Sequence, residues 1–555
     1  MKKRLIALAL CCVTLFGLLA GCGGGNQPAD NSATSPSSTE NSAPANQPAD
    51  NSSAPADSNE PVYGGTLKVS LNRTVSAKSL DPLYIDSTTA DQIVQNFGDT
   101  LIRENSDGSE YLPNIATSWE ISEDGLTYTF KIRTDVHFQP GKFQDGRLLT
   151  SEDVAYTLNH AKDYWCNYLY YLDYAEATDD ETVVCHLMNP NATFMHELVH
   201  SSTIMVPKEE VEGWGEEFGM HPVSTGPFMV KEHVPDQYTK LVKNPNYWGV
   251  EPYLDGLEYY IITDAAQATN ALMTGEIDVN LSVAGEAIQQ VKDSPALTLC
   301  QTPEFRVAYF GFNMTNEYLA NDKVREALIM AVDYEQLTAA QFTNGDGEVS
   351  YLPLPMTSWG YDKSLEDLVP KYDPEGAKAL LAEAGYPNGF TLQMSCTSDE
   401  ARLRAVTLLQ AFWSQVGVNL EIRTLAQAEI TASYLDNTVV TWASGQGGSA
   451  DPATFVGNFF STEKLHTNYN SFCYSDPYTD ELIEKALVLT DQDARKEVYK
   501  EITTLGVEKN VGIFYATMNL SWGMSNKVHG YVQQNQVVFR VCGTEGSGIN
   551  VWKEA

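Results

Sequence analysis

Residues 196–200 read His-Glu-Leu-Val-His, a spacing that can do chemistry. On a helix, His196 and His200 lie four apart on one face, so both imidazoles can ligate one zinc ion. Glu197 could then act as general base on a metal-bound water. That reading is a metallopeptidase, and it needs a third ligand. The extended H-E-x-x-H-x-x-G-x-x-H pattern fails, with Thr203 in place of the glycine and Val206 in place of the third histidine. Glu209, Glu210, Glu212, Glu216 and Glu217 follow at plausible distance. They sit in EEVEGWGEEFG, whose glycines make a poor ligand helix. With nine histidines in the chain, the match is a weak signal. No metal or other cofactor is expected, and zinc on His196, Glu197 and His200 stands as the alternative.

The elements around this stretch set its context, beginning at the N-terminus. Lys2, Lys3 and Arg4 precede an apolar run from Leu5 to about Ala20, too short to span a bilayer with ease but suited to a secretory leader. It ends in LLAGC, residues 18–22, which resembles a bacterial lipobox. This predicts a leader over residues 1–21, cleavage before Cys22 and a diacylglyceryl anchor on Cys22. Residues 23–60 hold no lysine, arginine or aromatic, and NQPADNS occurs twice, at 26–32 and 46–52. Such a segment cannot bury enough apolar surface to offset ordering. As a flexible coil it spans roughly 30–35 Å. Residues 22–60 are therefore expected to tether a folded body to the outer face of a membrane.

The remaining chain, from Pro61 to Ala555, is too long for one core. Its composition is globular, with 43% hydrophobic and 10% aromatic residues over the whole sequence. The formal net charge of −38 repels nucleic acid and anionic lipid, which excludes both as partners of the body. Of nine cysteines, Cys11 and Cys12 leave with the leader and Cys22 takes lipid. Cys166, Cys185, Cys300, Cys396, Cys473 and Cys542 are widely spaced without a C-x-x-C, so a thiolate zinc site is not expected. Buried free thiols and disulfides both remain open.

Strands are expected at 64–71, 126–133 and 182–188. Helices are expected at 151–164, capped by Thr150 or Ser151, and at 321–333 and 373–385. FTLQMSC, ARLRAVTLLQAFWSQVG and VNLEIRT read as a parallel strand-helix-strand unit, and two helices follow between Asp476 and Lys509. The mixture predicts an α/β protein of several lobes.

Five stretches in order resemble one family: YGGTLKVSL with SLDPLY; residues 111–158; STGPFMVKEHVPDQYTKLVKNPNYWG; LDGLEYYII with ALMTGEIDV; and FGFNMTNEYLANDKVREALIMAVD. The chain is similar to the family 5 solute-binding proteins of ABC importers, the oligopeptide, dipeptide and nickel binding group. The resemblance implies a periplasmic-binding-protein-like type II clamp of two lobes with an extra small domain (cluster C architecture). Lobe I would gather residues 61–110, 221–315 and 525–555, the small insert 111–220, and lobe II 316–524. Segments near 306–315 and 519–530 would form the hinge. The protein would act as a monomer, close on a small-molecule or peptide ligand, and present it to ABC permease subunits. No phosphate-binding loop is present; GQGGSADP has glycines without a lysine.

Within these motifs most residues read as scaffold. EDG and FQDG are turns that need positive φ at glycine, NPNYWG ends a strand with an aromatic pair in a core, and Arg325 and Asp333 brace lobes. HELVH takes the place of a short helix before a strand ending in Val-Pro-Lys. The resemblance places one cleft wall before SLDP, with the backbone of Thr74, Val75 and Ser76 adding a strand to a peptide. The other wall would be Trp442, Ala443, Ser444, Gly445 and Gln446. Peptide binders of the family carry an aspartate three residues after that tryptophan, which pairs with the ligand's α-amino group. Here the position is Gly445, and Asp451 is expected to be a turn residue. A buried ammonium without a carboxylate costs several kcal/mol, on the order of an unpaired buried charge. Either another acid replaces it, or the ligand is a sugar, modified peptide or metal chelate. The rings of YWCNYLYYLDY (164–174) could stack on sugar faces or fill the core of the insert.

Overall fold

Two long strands, Leu297–Phe312 and Gly512–Ser525, pair antiparallel along their lengths and carry the architecture. In this computed structural model the described residues are 60–85, 87–163, 169, 171–532, 534, 538–543 and 547–554. The leader, Cys22, the tether and Cys166 with most of its aromatic tract lie outside them.

Together the long strands feed three cores. Near one end of the pair, alternate residues point to opposite faces. Phe310, Phe312, Ile513 and Tyr515 pack with Leu328, Leu409 and Trp413, while Tyr309 and Phe514 pack with Phe459 and Phe472. Near the other end, Trp522 and Met524 join Leu67, Val69, Phe97 and Tyr259. The pairing slips between Pro303 and Val307, between the two core regions. The strands thus join two lobes in one sheet, which among the described residues has eleven strands. On one side lie Thr441–Gly447 and the parallel pair Phe390–Cys396 and Val418–Thr424; on the other lie Thr66–Leu71 and Gly256–Ile261, also parallel. Helix Glu400–Gln415 makes the crossover between Phe390–Cys396 and Val418–Thr424.

A smaller four-stranded antiparallel sheet runs Ala116–Ile121, Thr127–Ile132, Thr182–Leu187, Leu172–Asp179, with helix Ser151–Asp163 packed on it. Its core holds Tyr128, Phe130, Leu158 and Phe194. That helix starts on a reciprocal cap. The Asp153 N–H donates to Thr150 Oγ1 at 3.3 Å, and Asp153 Oδ2 accepts from the Thr150 N–H at 2.9 Å.

Several motifs weld this insert to the first lobe. Gln139 Nε2 donates to the carbonyls of Phe97 at 2.7 Å and Phe228 at 2.8 Å. Asp99 accepts from Trp248 Nε1 and Thr225 Oγ1, each at 3.1 Å. The aromatic pair of NPNYWG therefore does more than fill a core: Tyr247 packs with the first lobe and Trp248 with the insert, around one buried carboxylate. A side chain at Gly226 would enter the backbone of Phe97 and Gly98, which explains the glycine of STGPF. Gly125 and Gly146 have φ of 66° and 86°, as the EDG and FQDG turns require.

Arg325 does not brace one lobe against another. Its guanidinium donates to the carbonyls of Leu319 at 2.7 Å and Lys509 at 2.8 Å, inside the core of the second lobe. Asp333 caps helix Tyr334–Gln341.

The candidate ligand cleft

The HELVH helix is too short for a metal site. It spans only Phe194–Glu197; His200 is extended, with ψ of 143°, and precedes the turn Ser201–Thr203. The two histidines therefore share no helix face. His196 Nδ1 lies 2.9 Å from Glu104 Oε1. Burial alone would push that imidazole down, and Glu104 holds it above its ordinary value. Burial drives the Glu197 carboxyl up to about 7 against the Asn191 amide, which donates to Oε1 at 2.9 Å. His200 Nδ1 accepts the Ser202 N–H at 3.1 Å, and burial pushes its ring down to about 3. Among the described residues no group of three metal-ligating side chains forms. The expected strand before Val206-Pro207 is absent as well: the Met205 N–H donates to Asp99 O and the Val206 N–H to Thr157 Oγ1.

A different site lies where the two lobes join. Along its outer edge, Gly512–Ser525 pairs with the short strand Gly347–Val349 through residues 516–518, and with Val279–Asn280 through residues 523–524. Residues 519–521 fall between these partners. A cavity of about 250 Å3 opens there, lined by Asn519–Ser521, Asp346, Leu281–Ala284, Leu71–Arg73 and the first turns of helix Thr88–Phe97. It sits beyond the carboxyl ends of the parallel strands of the first lobe, where open α/β sheets hold ligands.

Backbone bonds fix the rim. The Asn519 N–H donates to Asp346 O at 3.0 Å, and the Val283 N–H to Ser521 O at 2.9 Å. Asn72 Nδ2 donates to Ser282 Oγ at 2.9 Å. Ser521 Oγ donates to Asp346 Oδ1 at 3.0 Å. Burial holds the Asp346 carboxyl above its ordinary range, with the Ser521 hydroxyl opposing.

The segment Asn72–Lys78 reaches this cavity through Asn72 and Arg73 only. Thr74 is exposed, while the Val75 side chain is in the core of the first lobe. Val75 O accepts from the Asp236 N–H at 2.9 Å; the Ser76 N–H donates to Ser79 Oγ at 3.1 Å, and its carbonyl accepts from the Ser79 N–H at 3.2 Å. These groups of Val75 and Ser76 are thus taken, and a strand added here has Thr74 and the residues before it to pair with.

The second predicted wall is mostly core. Trp442 is 1% exposed and stands opposite Gly311, against Phe472 and Tyr434. Ser444 lies opposite Tyr309 and Gln446 opposite Val307 on that face; Ala443 points to the other core. Gly445 is tightly placed: a Cβ there would lie 3.3 Å from Val307 O, so the backbone would have to give slightly, and 3.8 Å from the sulfur of Met518, one residue from the cavity. Asp451 caps a turn by accepting from the Ala453 N–H and pairs with buried Arg495 at 2.7 Å. Asp346, which sequence reasoning passed over, stands in the Gly-flanked turn NGDG.

Two lobes threaded on paired strands, an inserted small domain and a polar cavity at the join define the solute-binding class. Comparison with known proteins places the chain within it. Residues 110–466 match the model of bacterial extracellular solute-binding proteins, family 5. The chain is 29% identical over 481 residues to the dipeptide-binding protein of Escherichia coli, covering 81% of this chain and 89% of that one. It is also 29% identical over 481 residues to heme-binding protein A of Haemophilus influenzae, covering 81% and 87%. The solved structure of HbpA2 from Haemophilus parasuis superposes with a TM-score of 0.79 at 26% identity, over 88% of this chain and all of that one. The chain belongs to family 5 of the bacterial extracellular solute-binding proteins.

Proposed function

We propose that this protein is the extracytoplasmic substrate-binding subunit of an ABC importer, anchored to the membrane through lipid on Cys22. It acts as a monomer, takes a small peptide or peptide-like solute between its lobes, and delivers it to permease subunits. The observation that carries this reading is the polar cavity at the join of two lobes connected by a pair of crossing strands. A ligand touching both sides there favours the closed arrangement over the open one. The relatives named for dipeptides support the peptide class. A second reading, a solute without a free amine such as a sugar, modified peptide or metal chelate, is favoured by the missing acid at Gly445 and by the relative named for heme.

Native mass spectrometry of the purified full chain with its co-purified cargo tests this. A bound mass in the peptide range supports the first reading and a sugar or chelate mass the second. Hydrolysis of peptides that stops with a zinc chelator would overturn both.

A further inference from the structure

We propose that Asp346 receives the ammonium group of the solute, so that the ligand class is a short peptide or peptide-like molecule with a free amine. This rests on the solute-binding reading above and assigns the anchor that Gly445 cannot supply. Asp346 lines the cavity at the join. Its Oδ1 is oriented by the Ser521 hydroxyl, and its main chain is fixed by the Asn519 N–H. Among the described residues it forms no ion pair; burial raises its carboxyl and the Ser521 hydroxyl opposes this. A half-buried carboxylate without a counterion is a costly arrangement unless a ligand supplies the charge. Glu304 is close enough to feel Asp346, and its own charge is already matched by Arg306 at 3.2 Å. Asp346 is the acid that lines the lobe-two side of the cavity, and Lys292 Nζ braces the same turn by donating to Asn344 O at 3.0 Å.

The opposite side carries the other sign. Arg73 lines the same cavity from the end of the first strand and is exposed. A ligand with an ammonium toward Asp346 and a carboxylate toward Arg73 matches both poles. An acid three residues after Trp442 would have reached the seam from the strand beside Met518. Asp346 reaches it from the other side of the crossing strand, through the turn before Gly347–Val349.

The test uses the full chain stripped of cargo and two probe libraries: di- and tripeptides with free N-termini, and the same peptides N-acetylated. Native mass spectrometry should show retention of the free-amine library and rejection of the acetylated one. Titration with the best retained peptide should show Asp346→Asn binding about 30-fold more weakly, as loss of a charge-assisted bond implies. Thermal unfolding without peptide checks that the variant is folded, and the library comparison needs no variant at all. Equal retention of both libraries would overturn the ammonium assignment and leave the peptide reading standing. Unchanged binding by a folded Asp346→Asn would do the same for the residue. Retention of neither library would sink both.

Discussion

Gly311 and Trp442 stand directly opposite each other on neighbouring strands, and the indole occupies the space a side chain at 311 would need. The tryptophan fills one core of the second lobe against Phe472 and Tyr434. Gly311→Ala should therefore displace it and destabilise the protein by about 1–3 kcal/mol, the usual cost of overpacking. Urea unfolding followed by tryptophan fluorescence reads this; an unchanged midpoint would contradict the packing.

Gln139 joins the insert to the first lobe with one amide. Gln139→Ala leaves the carbonyls of Phe97 and Phe228 without that donor in a buried place. A loss of about 2–4 kcal/mol is expected. Hydrogen exchange should rise first in residues 224–228, where the Ser224 N–H also loses Gln139 Oε1.

Arg495 and Asp451 form a buried pair, at 7% and 5% side-chain exposure, with Arg495 Nη2 also donating to Tyr499 at 2.7 Å. Truncating one partner strands the other. Arg495→Ala should cost about 3–5 kcal/mol, and Arg495→Ala combined with Asp451→Asn should recover part of it. If the double variant is no more stable than the single one, the charge pairing is not what matters here.

Glu197 gives a pH signature. Its carboxyl is raised from 4.5 to about 7 in the fold by burial, so the folded state prefers the neutral acid. Its contribution to stability is complete below about 4.5 and is lost as pH rises through about 7. Glu197→Gln mimics the neutral form. It should match wild type near pH 4 and exceed it at pH 8, by about 3 kcal/mol. Melting curves across that range, with Glu197→Gln losing ground at high pH instead, would show the carboxylate to be stabilised.

The local elements were legible because their signals are local. Helix Ser151–Asp163 has its cap and acids in sequence, and the Phe390–Cys396, Glu400–Gln415, Val418–Thr424 unit has its periodicities side by side. The HELVH reading failed on length alone: spacing promises a shared face only if the helix continues, and Thr203 Oγ1 instead bonds the carbonyls of Leu198 and His200. Trp442 could not be placed without knowing that Gly311 would face it. The cavity was least legible, since Arg73, Val283, Asp346 and Leu520 meet only after the long strands pair. Asp346 was one acid among 73 acidic residues, marked by nothing except its glycine-flanked turn.

The slip in pairing between Pro303 and Val307 has a mechanical meaning. Any rotation of one lobe against the other would pass through a ribbon whose pairing persists on both sides of that step. If the lobes turn against each other, a ribbon of this kind twists as a whole rather than pivoting at one bond. The turn that bears Asp346 is fastened to this ribbon by the Asn519 N–H, so a group held by that carboxylate is held to the ribbon as well.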